Sequence, residues 1–151
     1  MTAYENILLA TDFSDHSEIA GRKAIDLAQR FASKLTILHV VEVYIPEIMP
    51  SDWVEAFQGE GLDEYLARDG NKLLVEFSDR INANTAKREV VVSERNTTHV
   101  IVKYAKQKNI DLIVLGSHGR HGISVLLGST ANGVMNRAPC DVLAVRISAE
   151  E

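Results

Sequence analysis

The sequence holds a single cysteine, Cys140, so no internal disulfide can form and a small disulfide-stapled secreted module is excluded. It holds no run of 18 apolar residues, so no membrane-spanning helix is expected. Its first residues, Met1 to Glu5, lack both the basic stretch and the cleavage site of a secretory signal. Positive charge is scarce: 16 lysines and arginines stand against 21 acids, a net charge of −5, which argues against broad binding of nucleic acid or an acidic membrane. Internal repeats and low-complexity tracts are missing too. What remains is an expected single cytoplasmic domain spanning residues 1–151. A chain of that length buries roughly 70% of its unfolded surface.

What is present is an alternation of short apolar runs with helical patterns. Ile7–Ala10, Leu35–Val41, Glu89–Val92, Leu112–Leu115 and Val142–Val145 predict five strands. Ser14 and Ser17 are candidate caps of a first helix carrying Ala20, Ala24, Leu27, Ala28 and Phe31. Leu62, Leu66, Leu73, Phe77 and Ile81 predict one face of a long helix, which Gly70 weakens. Thr97 or Thr98 is the expected cap of a third helix carrying Ile101, Tyr104 and Ala105, and Ser129–Arg137 reads as a fourth. Pro46 and Pro50 block regular structure in residues 42–60. The strands are apolar at successive positions rather than alternate ones. That implies an α/β fold: an open parallel sheet with helices on both faces and right-handed crossovers. Ligands of such sheets bind beyond the carboxyl ends of the strands, where strand order reverses. The positions to inspect are Thr11-Asp12, Val40-Val41 and the loop after Leu115.

That loop places Gly116, Gly119, Gly122 and Gly128 within thirteen residues, so the backbone can bend sharply and approach a ligand closely. Gly128-Ser129-Thr130 opens the last helix, whose free N–H groups and positive dipole end suit phosphate. His118, Arg120 and His121 add donors or positive charge. A Walker loop would end in Gly-Lys-Ser/Thr, and no lysine is present. A dinucleotide fingerprint would put glycines in the first strand-to-helix turn, and residues 10–16 contain none. Spacing alone favours phosphate binding modestly over a loop that the glycines merely shape.

The runs Asn6-Ile7-Leu8-Leu9-Ala10-Thr11-Asp12-Phe13-Ser14, Ile37-Leu38-His39-Val40, Asp111 to Gly119, Leu127-Gly128-Ser129-Thr130 and Ala138 to Leu143 together resemble the universal stress protein family over nearly the whole chain. The resemblance implies an adenine nucleotide alpha hydrolase-like, Rossmann-like fold with five parallel strands. It also implies a homodimer and a role in stress endurance rather than a metabolic reaction. The family's ATP-binding pattern is two glycines two residues apart, nine further residues, then glycine and serine or threonine. This chain supplies Gly116, Gly119, Gly128 and Ser129 but has eight residues between Gly119 and Gly128. By similarity, Thr11, Asp12 and Val40 lie on the ribose and adenine side, with Leu115 and Gly116 nearby. Gly119, Arg120, Gly128, Ser129 and Thr130 fall on the phosphate side of ATP or a related adenine nucleotide. The resemblance further implies antiparallel pairing of Val142–Ile147 with its copy across a two-fold axis. Ser93 to Thr98 departs from the glycine–proline turn of many relatives, which leaves the expected site untouched.

The remaining residues have plainer readings. Asp12 could face a phosphate-bound Mg²⁺ or simply cap the turn. His39 lies within an apolar strand and reads as a core histidine. His118 and His121 without a cysteine or placed carboxylate make a poor zinc site, so no metal site is expected. Cys140 has no base beside it and reads as an inert thiol. Val43 to Phe57, which holds Trp53, reads as a crossover folding onto the sheet, with a partner surface as the minority reading. No Ser-His-Asp set, carboxylate pair or catalytic lysine can be placed, so slow hydrolysis or phosphorylation at Ser129 or Thr130 lacks a general base. The rival reading is a dimeric interaction scaffold of the same family that binds no nucleotide. A ligase or flavoprotein subunit of the wider fold is disfavoured, since 151 residues leave no room for a substrate domain. The negative charge is local: residues 42–69 hold eight acids and one base, whereas residues 112–148 hold three arginines and one aspartate.

Overall fold

The apolar runs become strands because each finds helices to bury against on both sides. The computed structural model describes residues 4–44, 61–118 and 127–146. In chain order these form β1 (Asn6–Ala10), α1 (Asp15–Phe31), β2 (Lys34–Glu42), α2 (Leu62–Arg80), β3 (Lys87–Ser93), α3 (Thr97–Gln107), β4 (Leu112–Gly116), α4 (Ser129–Arg137) and β5 (Asp141–Val145). The five strands are all parallel, in the order β3-β2-β1-β4-β5. Ile7, Leu9, Ile37 and Val114 point to one face, against Ala20 and Ala24 of α1 and Leu74 and Phe77 of α2. Leu8, Leu38, Ile113 and Leu115 point to the other, against Ile101 and Tyr104 of α3 and Ala131 and Val134 of α4. Two cores thus share one sheet, which explains the unbroken apolar runs.

Local signals set the helix ends, with two departures from expectation. Ser14 is the cap of α1, accepting a hydrogen bond from the Ser17 N–H. Ser17 itself lies inside the helix, buried. Asp15 and Glu18 in the first turn favour the positive end of the helix dipole. The cap of α3 is Asn96, not Thr97 or Thr98: Asn96 Oδ1 accepts from the His99 N–H at 2.8 Å. Thr97 is committed elsewhere, donating its N–H and hydroxyl to Glu42 Oε1 at 2.6 and 2.7 Å.

The second departure is the inward face of α2. Leu73 is exposed, and the buried positions are Gly70, Leu74, Phe77 and Ser78. Gly70 is a point of close approach: a Cβ there would lie 3.0 Å from Val90 Cγ1. The glycine lets the helix sit against β3. The terminal strand β5 pairs only with β4 and so lies at the sheet edge, as expected. Gly119, Arg120, Gly122, His121, Trp53 and Ile147 lie outside the described residues.

Candidate functional site

Strand order reverses at β1: the chain runs outward through β2 and β3, then returns to place β4 on the other side of β1. The crevice of such a sheet opens beyond the carboxyl ends of β1 and β4. The turn after β1 is tightly built. Thr11 is buried, its N–H donates to the Leu38 carbonyl, and its hydroxyl accepts from the Phe13 N–H. Its carbonyl lies 2.8 Å from His39 Nδ1, which gives that ring nitrogen a partner, although His39 is half-buried and belongs to neither core, contrary to expectation. Phe13 takes a left-handed φ of 65°, a strained setting for an aromatic residue, and its ring packs on His39 with centroids 4.1 Å apart. Beside it, Asp12 Oδ1 accepts from the Ser17 hydroxyl at 2.7 Å and the Ser14 N–H at 3.0 Å. The carboxylate is thereby held at the mouth of the crevice, ahead of the first turn of α1.

The other wall comes from the end of β4. Leu115 is buried in the core beneath the site. Gly116 is a point of close approach, since a Cβ would lie 3.1 Å from the His118 carbonyl oxygen and 3.3 Å from His16 Cβ. The Ser117 N–H donates to the Val145 carbonyl at 2.9 Å, and the Ser117 carbonyl accepts from the Gly128 N–H at 2.7 Å. Both ends of the glycine loop are therefore joined at its base. The loop is one residue short of the family pattern, yet Gly128 still returns to the end of β4. Gly128 is the N-cap of α4, with φ −61° and ψ 159° and no side-chain cap bond. Among the described residues, no side chain caps the first turn of α4, which bears Ser129 and Thr130. Val40 lies near the carboxyl end of β2, half-buried beside the core below α3.

His16 belongs to this site and was missed by sequence reasoning. It lies in the first turn of α1, its ring edge-on to that of His118 with centroids 5.9 Å apart. His118 Nδ1 lies 3.0 Å from the Ser117 hydroxyl, whereas His118 Nε2 and His16 Nδ1 are buried and find no hydrogen-bond partner among the described residues. Unpaired buried polar atoms are costly, and they cluster where a bound group completes them. The available signal was that His16 follows the β1 turn and so shares the layer of the glycine loop. Among the described residues, no three His, Cys, Asp or Glu side chains gather into a metal site. Cys140 is half-buried, and burial pushes its thiol pKa up, with the carboxylates of Asp111 and Asp141 adding to the rise. That suits an inert thiol.

With this geometry in place, comparison with known proteins is decisive for the family. The model of the universal stress protein family matches residues 3–146. The chain belongs to that family. Universal stress protein A homolog 2 of Coxiella burnetii is 35% identical over 148 residues, covering 97% of this chain and 98% of that protein. The solved structure of universal stress protein UspA from Lactobacillus plantarum is 33% identical, with a TM-score of 0.74 over 97% of this chain and 100% of that one. A solved universal stress protein in complex with cAMP is 28% identical, with a TM-score of 0.68 over 97% of this chain and 100% of that one. These solved structures share the chain's fold over nearly its whole length.

Proposed function

We propose that the protein binds an adenine nucleotide, ATP by preference, in the crevice between β1 and β4, and works as a dimeric stress-response regulator. The observation that carries this reading is the closure of the glycine loop by the bond between the Ser117 carbonyl and the Gly128 N–H. It keeps the start of α4 beside Gly116 despite the shortened loop. On this reading Asp12 and Val40 line the ribose and adenine side, with Thr11 and Leu115 shaping the wall behind them. Gly116, Gly128, Ser129 and Thr130 face the phosphates with backbone donors, and Gly119 and Arg120 extend the cradle. Mg²⁺ bound to the phosphates would sit toward Asp12, a hard carboxylate ligand suited to that ion. The cAMP complex of a relative supports the nucleotide class.

The dimer is proposed to form through β5. The two sheet edges differ in kind: β3 begins Lys87-Arg88-Glu89, and such charges discourage strand addition, whereas β5 is apolar after Asp141. Among the described residues no helix is long and apolar enough to cross a membrane.

Denaturing freshly purified protein and weighing the released small molecules by mass spectrometry tests the nucleotide. An adenine nucleotide is expected, and saturating ATP should raise the melting temperature, since ligand at 100 times Kd adds about 2.7 kcal/mol. Gly128→Val keeps a φ that any residue adopts, and retention should be lost in the variant whose circular dichroism and melting match the ligand-free parent. An empty site together with no ATP-dependent stabilisation selects the second reading, a nucleotide-free dimeric scaffold. That reading draws on the shortened loop and the open β5 edge.

A further inference from the structure

A cleft of about 570 Å³ lies at the opposite end of the sheet from the glycine loop, wrapped round the amino ends of β2 and β3. It reaches from α1 on one face to α3 on the other. Ala28, Leu35 and Ala86 give it an apolar wall, and the buried side chains of Ala83, Tyr104 and Ile110 close its floor. Its volume lies in the range of small-molecule clefts, and it is open to solvent along one side, so it can take one flank of a small organic molecule.

Charge selects the class of molecule. The lining holds three lysines, Lys34, Lys87 and Lys108, and no acid, in a chain whose net charge is −5. Lys87 pairs with Glu89 at 2.9 Å. Lys34 and Lys108 make no ion pair among the described residues, and both are exposed at the rim. Three helices also end on this side, at Phe31, Arg80 and Gln107, and each C-terminus presents roughly half a negative charge. Lys87 is spent on Glu89, so Lys34 and Lys108 carry the positive charge of the rim, roughly two charges against about one and a half from the three dipole ends. Gln29, Asn82 and Thr85 add neutral hydrogen-bonding groups near the lysines.

We propose that this cleft is a second ligand site, taking a small organic anion whose apolar body lies on Leu35 and Ala86 and whose acid group meets Lys34 and Lys108. The site is independent of the nucleotide reading, because none of its residues comes from the crevice between β1 and β4.

The test titrates the full chain with 8-anilinonaphthalene-1-sulfonate, following fluorescence and backbone amide shifts together. One saturable site is expected, with shifts centred on Lys34, Ala86 and Lys108, no displacement by excess ATP, and affinity that falls with added salt. The double variant Lys34→Glu, Lys108→Glu changes two exposed side chains, so it keeps its melting temperature while affinity drops about tenfold or more. Neutral N-phenyl-1-naphthylamine should bind far more weakly. Failure to saturate, shifts centred on Gly116 and Gly128, displacement by ATP, unchanged affinity in the folded double variant, or equal binding of the neutral amine would each overturn the assignment.

Discussion

Tyr104 and Cys140 are two side chains whose ionisation the fold opposes. Burial raises the Tyr104 pKa, the Glu89 carboxylate raises it further, and Lys87 pulls the other way. Burial likewise raises Cys140. A group whose pKa is raised on folding adds stability that is complete below its unfolded value and is lost as pH climbs through the folded one. Their contribution is therefore intact at neutral pH and fades above about pH 9 to 10. Urea midpoints at pH 7 and pH 10.5 should show that alkaline loss, and Tyr104→Phe should reduce it. An equally steep loss in the variant would assign the effect to other groups. Cys140 should also react with a disulfide reagent at pH 8 more slowly in the folded chain than in urea. At the crevice, the residue scale is where sequence reading fell short. Asp12, Gly116 and Gly128 were nominated because their types carry local meaning, and the fold places them around the candidate crevice. His16 was not, because its place beside the His118 ring depends on a segment far away in sequence.

Among the elements, the contact between α3 and α4 is the tightest to test. A Cβ at Gly133 would lie 2.8 Å from both Thr98 Cγ2 and Thr98 Oγ1. Alanine is worth up to about 1 kcal/mol over glycine in a helix, but here the overlap opposes that gain. Gly133→Ala should lower stability in the native background and raise it by up to about 1 kcal/mol in a Thr98→Ala background, as read from denaturant midpoints. Without the change of sign, the close approach is not what selects glycine. The helices also show where pattern reading stops. Periodicity located α2 but chose Leu73 over Leu74, because the choice depends on where β2 and β3 lie beneath the helix. Asn96, Thr97 and Thr98 are all capable caps in isolation. Glu42, 55 residues from Thr97, takes that threonine's donors and leaves the cap to Asn96.

For the whole molecule, the proposed dimer rests on the free side of β5. The Val145 carbonyl faces β4, where it accepts from Ser117, so along the strand Val142 and Ala144 turn their N–H groups outward. Ala144→Pro removes an outward donor without taking a bond from β4, and should convert the dimer to monomer in sedimentation. If the variant sediments as the parent does, pairing through β5 is wrong. The sequence by itself determined that there are five strands and that they are parallel and buried, since apolar runs with intervening helices have few other ways to hide. It also determined the family and the ends of the glycine loop, because glycine spacing is a local property. Only the tertiary structure decided that β1 lies between β2 and β4, which puts Asp12 near Gly116. It alone closed the shortened loop from Ser117 to Gly128, set His16 against His118, and gathered three lysines around the amino-end cleft. Those are contacts between distant segments, fixed by the packing of both cores on one sheet, and no local pattern in the chain encodes them.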